Sequence, residues 1–333
     1  MIELYKSKIE KDINEAEILI NTFRDDVEKG LDKIEKTLPS KYFYNKKGDA
    51  LFVEIMNLPE YYLTRSEFDI FKNKTEQLIE AFNIDSNSYF ELIELGAGDG
   101  LKTKELLKTL DSKNYKFNYF PIDISLNALS LLEKDLNNDM PNVSVKTQQG
   151  DYFEVLNSLK QSKKPKVVLF LGSNIGNMTD EQASSFISKL GNNLQKGDKL
   201  LLGVDLIKPE AIVLPAYNDS KGVTASFNLN LLDRMNNELG ANFNLNYFKH
   251  HPEYNEKTGV AKSFIKSTIN QTVEIKAIGK SYSFAKDEKI HTEISRKYND
   301  TLINQIILNA NFVINNKIMD SKAYFADYIL TRY

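Results

Sequence analysis

The sequence predicts an α/β protein: a doubly wound, mainly parallel sheet that finishes in an antiparallel strand pair, together with a second domain of α+β type. Three observations predict it. From residue 89 to 206, apolar strand-type runs alternate with amphipathic helical patterns, the rhythm of repeated β-α units. Residues 313–333, "VINNKIMDSKAYFADYILTRY", read as two strands around a turn. Between these, over residues 208–296, the rhythm breaks and hairpin-like alternation takes its place.

Taken in order, residues 2–37 carry apolar side chains at spacings of three and four among many Lys and Glu, which predicts a helical segment with one contacting face and one solvated face. The stretch 38–67 is dense in aromatics and punctuated by prolines. Tyr42, Phe43, Tyr44, Tyr61 and Tyr62 suit either a core-packing connection or the wall of a ligand pocket. "YFELIELG" is a buried-type strand and "KTKELLKTLD" a helix. "FNYFPIDIS" is a second strand ending in Asp123, and "LNALSLLEKDLNN" a helix. "VSVKTQQGDYFEVL" reads as a third strand with its exit loop, and "KVVLFLGSNIGNM" as a fourth. "TDEQASSFISKLGNNL" is a helix opened by the capping box Thr179-x-x-Gln182, followed by a fifth strand, "DKLLLGVDL". "FNLNLLDRMNNELG" is a helix stopped by Gly240, residues 260–290 alternate like hairpins, and "ISRKYNDTLINQIILNANF" looks helical. The expected organisation is a helical N-terminal segment (1–64) joining a substrate domain inserted at 208–296, and a cofactor domain formed by 65–207 and 297–333.

Composition narrows the function. Charged residues make up 27% and the net charge is −3, so no general basic field attracts nucleic acid. No run is long enough to span a membrane, and the N-terminus is no secretory signal, so a cytoplasmic protein is expected. A monomer is expected as well. With no cysteine, disulfides, thiolate metal sites and cysteine nucleophiles are excluded. The three histidines, His250, His251 and His291, lack metal-ligand spacing, and no metal is expected.

The first strand leads into "ELGAGDG". Gly96 and Gly98 let the backbone pass close to a ligand where a β-carbon would collide. The turn lacks the GxxxxGK[ST] of a phosphate-cradling loop, and its third glycine arrives too early for a dinucleotide turn. It suits S-adenosylmethionine, which has no pyrophosphate to seat on a helix. Asp123 ends the second strand, where a carboxylate can accept from both ribose hydroxyls. Asp151 follows the third, where a carboxylate can accept from the adenine amine, with Tyr152 against the ring. The plain alternative for each aspartate is a helix cap or turn residue.

From the fourth strand onward the motifs become specific. "LFLGSNIGNM", "DLIKPEAIVLPAYND", "GVTASFNLNLLDRMNNELGANF" and "HTEISRKY", with "FYNKKGDALFVEIMNLPEYYLTRSE" upstream, resemble the histidine-specific methyltransferase family of ergothioneine biosynthesis, over residues 38–333. A final antiparallel pair on a parallel sheet is likewise typical of the Rossmann-like class I methyltransferases. The resemblance implies transfer of methyl groups from S-adenosylmethionine to the α-amine of a free amino acid, typically histidine up to its trimethyl betaine. A fungal branch of the family acts on a prenylated tryptophan. By motif, Gly96, Lys102, Asp123, Asp151 and Tyr152 would hold the cofactor. Asn177 and Tyr217 would grip the α-carboxylate, Tyr61 would lie near the amine as the catalytic residue, and Glu293 and Ser295 would hold the two imidazole nitrogens. Tyr152 stands where the family more often has Phe. Ser263, in "VAKSF", stands where histidine-specific members have a methionine that packs on the substrate side chain.

Displacement at a sulfonium needs a neutral amine, a clear path and alignment, with no metal. A free α-amine has a reference pKa of about 8, so the site must bind its neutral form or lead the proton away, with Tyr61 or water as the route. Read singly, Asn177 could be a turn residue, Tyr217 core packing and Glu293 an exposed strand carboxylate. Methylation of a different amino acid or amine, because of Ser263, and cofactor binding without turnover are the alternatives.

Overall fold

The structure is a computed structural model that describes residues 19–333; the part of the N-terminal helix expected before residue 19 lies outside them. In chain order it contains α1 (19–31), α2 (Lys46–Met56), α3 (Leu63–Asn73), α4 (Thr75–Phe82), β1 (Phe90–Leu95), α5 (Leu101–Ser112), β2 (Phe117–Asp123) and α6 (Leu126–Asp139). Then follow β3 (Ser144–Val145), β4 (Gln148–Gln149), α7 (Tyr152–Leu159), β5 (Lys166–Phe170), α8 (Asp180–Asn192), β6 (Lys199–Asp205), α9 (Glu210–Val213) and α10 (Val223–Leu239). The chain ends with β7 (Phe248–Asn255), β8 (Val260–Ser267), β9 (Gln271–Ile275), β10 (Lys280–Phe284), β11 (Lys289–Arg296), α11 (Asp300–Ile307), β12 (Phe312–Met319) and β13 (Phe325–Arg332).

The chain divides into two compact units. The larger comprises Tyr62–Lys208, Glu256–Gly259 and Ser295–Tyr333. The smaller comprises the described part of Met1–Tyr61 with Pro209–Asn255 and Val260–Ile294.

The larger unit is built on one sheet in the order β12-β13-β6-β5-β1-β2-β3, with β4 also paired to β2. β2, β1, β5 and β6 run parallel, and β13 and β12 finish the sheet antiparallel. All six residues of β1 are buried, as a parallel strand covered on both faces requires. Alternate side chains point to opposite faces: Ile93 and Leu95 join a core with α7, α8 and α11, while Phe90 and Leu92 join one with α3, α4, α5 and α6. This three-layer arrangement puts the carboxyl ends of β1, β2 and β5 on one edge, where doubly wound sheets bind ligands.

The smaller unit is α+β. Phe227, Leu231, Met235 and Leu239 recur every fourth residue on α10 and form its buried stripe, joined by Leu232. That stripe packs with Phe23 and Val27 of α1, Ile55 of α2, and Phe248, Ile265, Val273 and Phe284 of the strands. Gly240, at φ +62, ends α10 in the left-handed conformation that glycine adopts without penalty.

The structure departs from the sequence reading in five places. The third strand is reduced to β3 and β4, two residues each, because "KTQQG" is too polar to be covered on both faces. The helix expected within 294–312 is only Asp300–Ile307: Asn299 caps its start by accepting from Leu302 N, and the preceding residues complete β11. Residues 260–290 are not a run of consecutive hairpins, since β8 pairs with β7 and β11, and only β9 and β10 pair together. β7, with the polar text "FKHHPEYN", and α2 carried no clear periodic signal. α2 is started by Asn45, whose side chain accepts from Gly48 N.

Candidate active site

On the larger unit, the turn after β1 is the centre of the site. Gly96 has φ +74 and Gly98 has φ +54, both in the left-handed region. A β-carbon at Gly96 would lie 2.7 Å from Tyr152 Oη, so a side chain there would strain the backbone and displace the Tyr152 hydroxyl. A β-carbon at Gly98 would meet nothing within 4 Å, so the turn's outer side is open space.

Asp123 reaches this turn from the end of β2. Its Oδ2 accepts from Gly98 N at 3.3 Å and its Oδ1 from Ser125 N at 2.9 Å. A carboxylate offers about four acceptor positions, so each oxygen keeps capacity for a hydroxyl. Asp151 is the N-cap of α7: its Oδ1 accepts from Phe153 N at 2.8 Å and Glu154 N at 3.3 Å. The helix-cap reading of Asp151 therefore holds, and its Oδ2 is the oxygen that could serve a ligand. Burial, with Asp123, Asp151 and Glu94 nearby, pushes the Tyr152 phenol up to about 12, so it is a neutral donor near pH 7. Glu94, just before the glycines, turns inward: Thr103 Oγ1 donates to it at 2.7 Å, and Tyr119 Oη donates to its other oxygen. Burial raises its pKa to about 7.

Lys102 is committed to a partner. Its ammonium pairs with Glu67, a fully buried carboxylate that also accepts from Gly172 N at 2.9 Å on both oxygens. Burial works against the Lys102 charge, but Glu67, Glu94 and Asp327 together hold its pKa above the ordinary value. Asp327 is buried beside them with neither oxygen hydrogen-bonded among the described residues, and burial pushes its pKa well up. Gly203 makes room for this cluster, since a β-carbon there would sit 2.1 Å from Glu67 Oε1. Asn177 closes the 3₁₀ turn Asn174–Asn177 after β5 and is exposed. Ser295 is buried, and its Oγ accepts from Lys297 Nζ at 2.9 Å.

The other expected residues belong to the smaller unit. Ser263, 1% exposed on β8, donates to Glu293 Oε2 on β11 at 3.3 Å. Tyr217 is buried at the end of the 3₁₀ turn Leu214–Tyr217, and its carbonyl accepts from His250 Nε2 at 2.8 Å. That bond fixes the His250 tautomer and gives the residue a structural task. Tyr61 is half-buried, edge-on to Phe52 at 6.3 Å. Tyr44 and Phe227 stand 5.6 and 5.9 Å from Phe52, and Phe227 is 5.6 Å from Tyr44. Sequence reasoning named Tyr44 only as part of an aromatic-rich stretch and did not single out Phe52. The density of aromatics was the signal for both. Among the described residues no group of three His, Asp or Glu side chains could hold a metal ion.

The sequence model of the family described as histidine-specific methyltransferase, SAM-dependent, matches residues 23–332. The chain belongs to this family. It is similar to histidine N-alpha-methyltransferase of Mycolicibacterium smegmatis, with 35% identity over 85% of this chain and 86% of that one. The protein of the same name from Mycobacterium tuberculosis shares 34% identity over 83% and 84%. Ergothioneine biosynthesis protein 1 of Schizosaccharomyces pombe shares 30% over 89% of this chain and 39% of its own length. As a histidine-specific family methyltransferase, the chain is an N-methyltransferase that uses S-adenosylmethionine, and its larger unit fits that cofactor. The outer side of the glycine turn is open at Gly98, and Asp123 retains acceptor capacity beside it. Among the described residues no helix is long and apolar enough to cross a membrane.

Proposed function

We propose that this chain methylates the α-amine of L-histidine, up to the trimethyl betaine, in ergothioneine biosynthesis. S-adenosylmethionine supplies the electrophilic methyl group. Asp123 accepts from its ribose hydroxyls, the Gly96–Gly98 turn lies along it without side chains, and Asp151 Oδ2 and Tyr152 serve the adenine end. Lys102 acts there as half of its ion pair with Glu67, fixing the wall rather than offering a free charge. On the amino-acid side, the Asn177 amide and Tyr217 hydroxyl donate to the α-carboxylate. Tyr61 stands beside the amine and takes part in removing its proton. The rings of Tyr61, Phe52 and Tyr44 favour the methylammonium that grows with each transfer.

The observation that carries the choice of histidine is the pair Glu293 and Ser295, two residues apart on β11 and so on one face of the strand. A carboxylate and a hydroxyl satisfy the two nitrogens of an imidazole, one as donor and one as acceptor. Ser263 supports a second reading, the same chemistry on a different amino acid. It brings a hydroxyl, hydrogen-bonded to Glu293, to the position where the family's methionine packs on the side chain. The chain works as a monomer in the cytoplasm. The test is to incubate pure protein with S-adenosylmethionine and each amino acid in turn, and to read the mass spectrum. Histidine alone should gain one, two and three methyl groups. Gain by another amino acid instead would overturn the histidine assignment and leave the chemistry standing.

A further inference from the structure

A second buried charge cluster of the larger unit lies outside the cofactor turn. Asp205, at the end of β6, is fully buried. Its Oδ2 accepts from Tyr62 Oη at 2.8 Å and is paired with Lys297 Nζ at 2.8 Å. Its Oδ1 accepts from Lys208 Nζ at 2.5 Å. Lys208 also donates to Tyr62 Oη at 3.0 Å and to the Leu206 carbonyl at 2.5 Å. The backbone of Asp205 is engaged as well: its N–H donates to Ser173 Oγ at 3.0 Å, and its carbonyl accepts from Tyr298 N at 2.8 Å.

Two lysines around one aspartate, all withdrawn from water, are costly to bury and serve stability less well than apolar packing of similar volume. What such a cluster offers is fixed geometry. Three branches of this one lead toward residues assigned to the amino acid. Tyr62 directly follows Tyr61. Ser173, at φ +56, opens the turn whose last residue is Asn177, and its carbonyl accepts from Gly176 N at 2.8 Å within that turn. Lys297 bridges Asp205 to Ser295 Oγ, donating at 2.9 Å.

We propose that Asp205 is a positioning residue for amino-acid binding, holding Ser295 through Lys297, Asn177 through Ser173, and the chain at Tyr61 through Tyr62. The proposal rests on the substrate roles assigned above to those three residues. Asp205 touches no reacting atom.

The test uses the full chain and four variants: Asp205→Asn, Lys297→Met, Lys297→Arg and Tyr62→Phe. Wild-type turnover of histidine, measured first, tests the functional reading by itself. Calorimetric titration with S-adenosylmethionine then reports folding and cofactor binding, and steady-state kinetics at saturating donor report KM and kcat for histidine. Asp205→Asn and Lys297→Met should raise KM for histidine by about tenfold, the scale of one misplaced charge-assisted hydrogen bond. Donor Kd should stay within about twofold. Lys297→Arg, which keeps the charge and the donor, should recover part of the loss, and Tyr62→Phe should give the mildest effect. If Asp205→Asn fails to fold, the Lys297 and Tyr62 variants carry the test. Histidine KM within about twofold of wild type in the folded variants would overturn the proposal. So would an equal weakening of donor binding, because the cluster would then hold the whole unit together rather than the amino-acid residues.

Discussion

The two units offer different kinds of surface to a ligand. The larger presents mostly main chain: two glycines in the left-handed region, backbone N–H groups, and carboxylates at strand ends. The smaller, in its described residues, offers side chains: Glu293 with Ser263 against it, Tyr217, and the rings around Tyr61. A backbone cradle demands a particular residue type for steric reasons, so few substitutions leave it working. A side-chain site can change its ligand by exchanging one residue, and Ser263 occupies a position where such an exchange is expected to matter.

The largest predicted effect breaks the cradle. Gly96→Val places a branched side chain at φ +74, where its β-carbon is 2.7 Å from Tyr152 Oη. Donor affinity should fall by at least about 100-fold, since left-handed strain of about 1–2 kcal/mol adds to the clash. Calorimetry with S-adenosylmethionine reads it. Gly98→Ala sharpens the same point: it adds a β-carbon in open space, so any large loss of donor binding comes from the ligand's close approach.

The next effect concerns proton linkage under the cradle. Burial raises the Glu94 pKa to about 7, above an unfolded value of about 4.3. Between those values the folded state binds more protons, so this carboxyl makes stability fall as pH rises from about 4.3 to 7. The size is a few kcal/mol at most. Glu94→Gln should flatten that part of the melting temperature against pH curve. An unchanged slope would mean that Glu94 is ionised throughout.

A smaller effect belongs to the other unit. Ser263→Ala removes one donor to Glu293 and should raise KM for histidine about two- to tenfold, the range of a single hydrogen bond. Donor Kd and melting temperature should hardly move. Tighter histidine binding instead would show that the hydroxyl works against the imidazole.

The same contrast governs what could be read from the sequence. The sheet was legible because its strands and helices alternate, and the antiparallel finish stood out as two strands around a turn. The glycine turn and the place of Asp123 beside it were legible because a tight turn at a strand end constrains residue type. Asp151 was legible in position, and the structure adds that its first duty is to cap α7. Tyr61, Asn177, Tyr217, Glu293 and Ser295 lie on scattered elements with no common spacing, and only the resemblance to a family pointed to them. β7 and the short β3 and β4 were obscured by polar text on partly exposed strands, where period-two burial is weak. The ion cluster at Asp205 had no signal at all. Its members are far apart in sequence, and isolated Lys, Asp and Tyr residues ordinarily read as surface.

The division between the two kinds of recognition is tested most directly by comparing Asp123→Ala with Glu293→Ala, measuring donor Kd by calorimetry and histidine KM at saturating donor for both. Asp123→Ala should weaken the donor roughly tenfold to hundredfold and leave histidine KM near wild type, and Glu293→Ala should do the reverse by a similar factor. If Glu293→Ala leaves histidine KM unchanged, or weakens the donor as much as the amino acid, the assignment of histidine recognition to Glu293 is wrong.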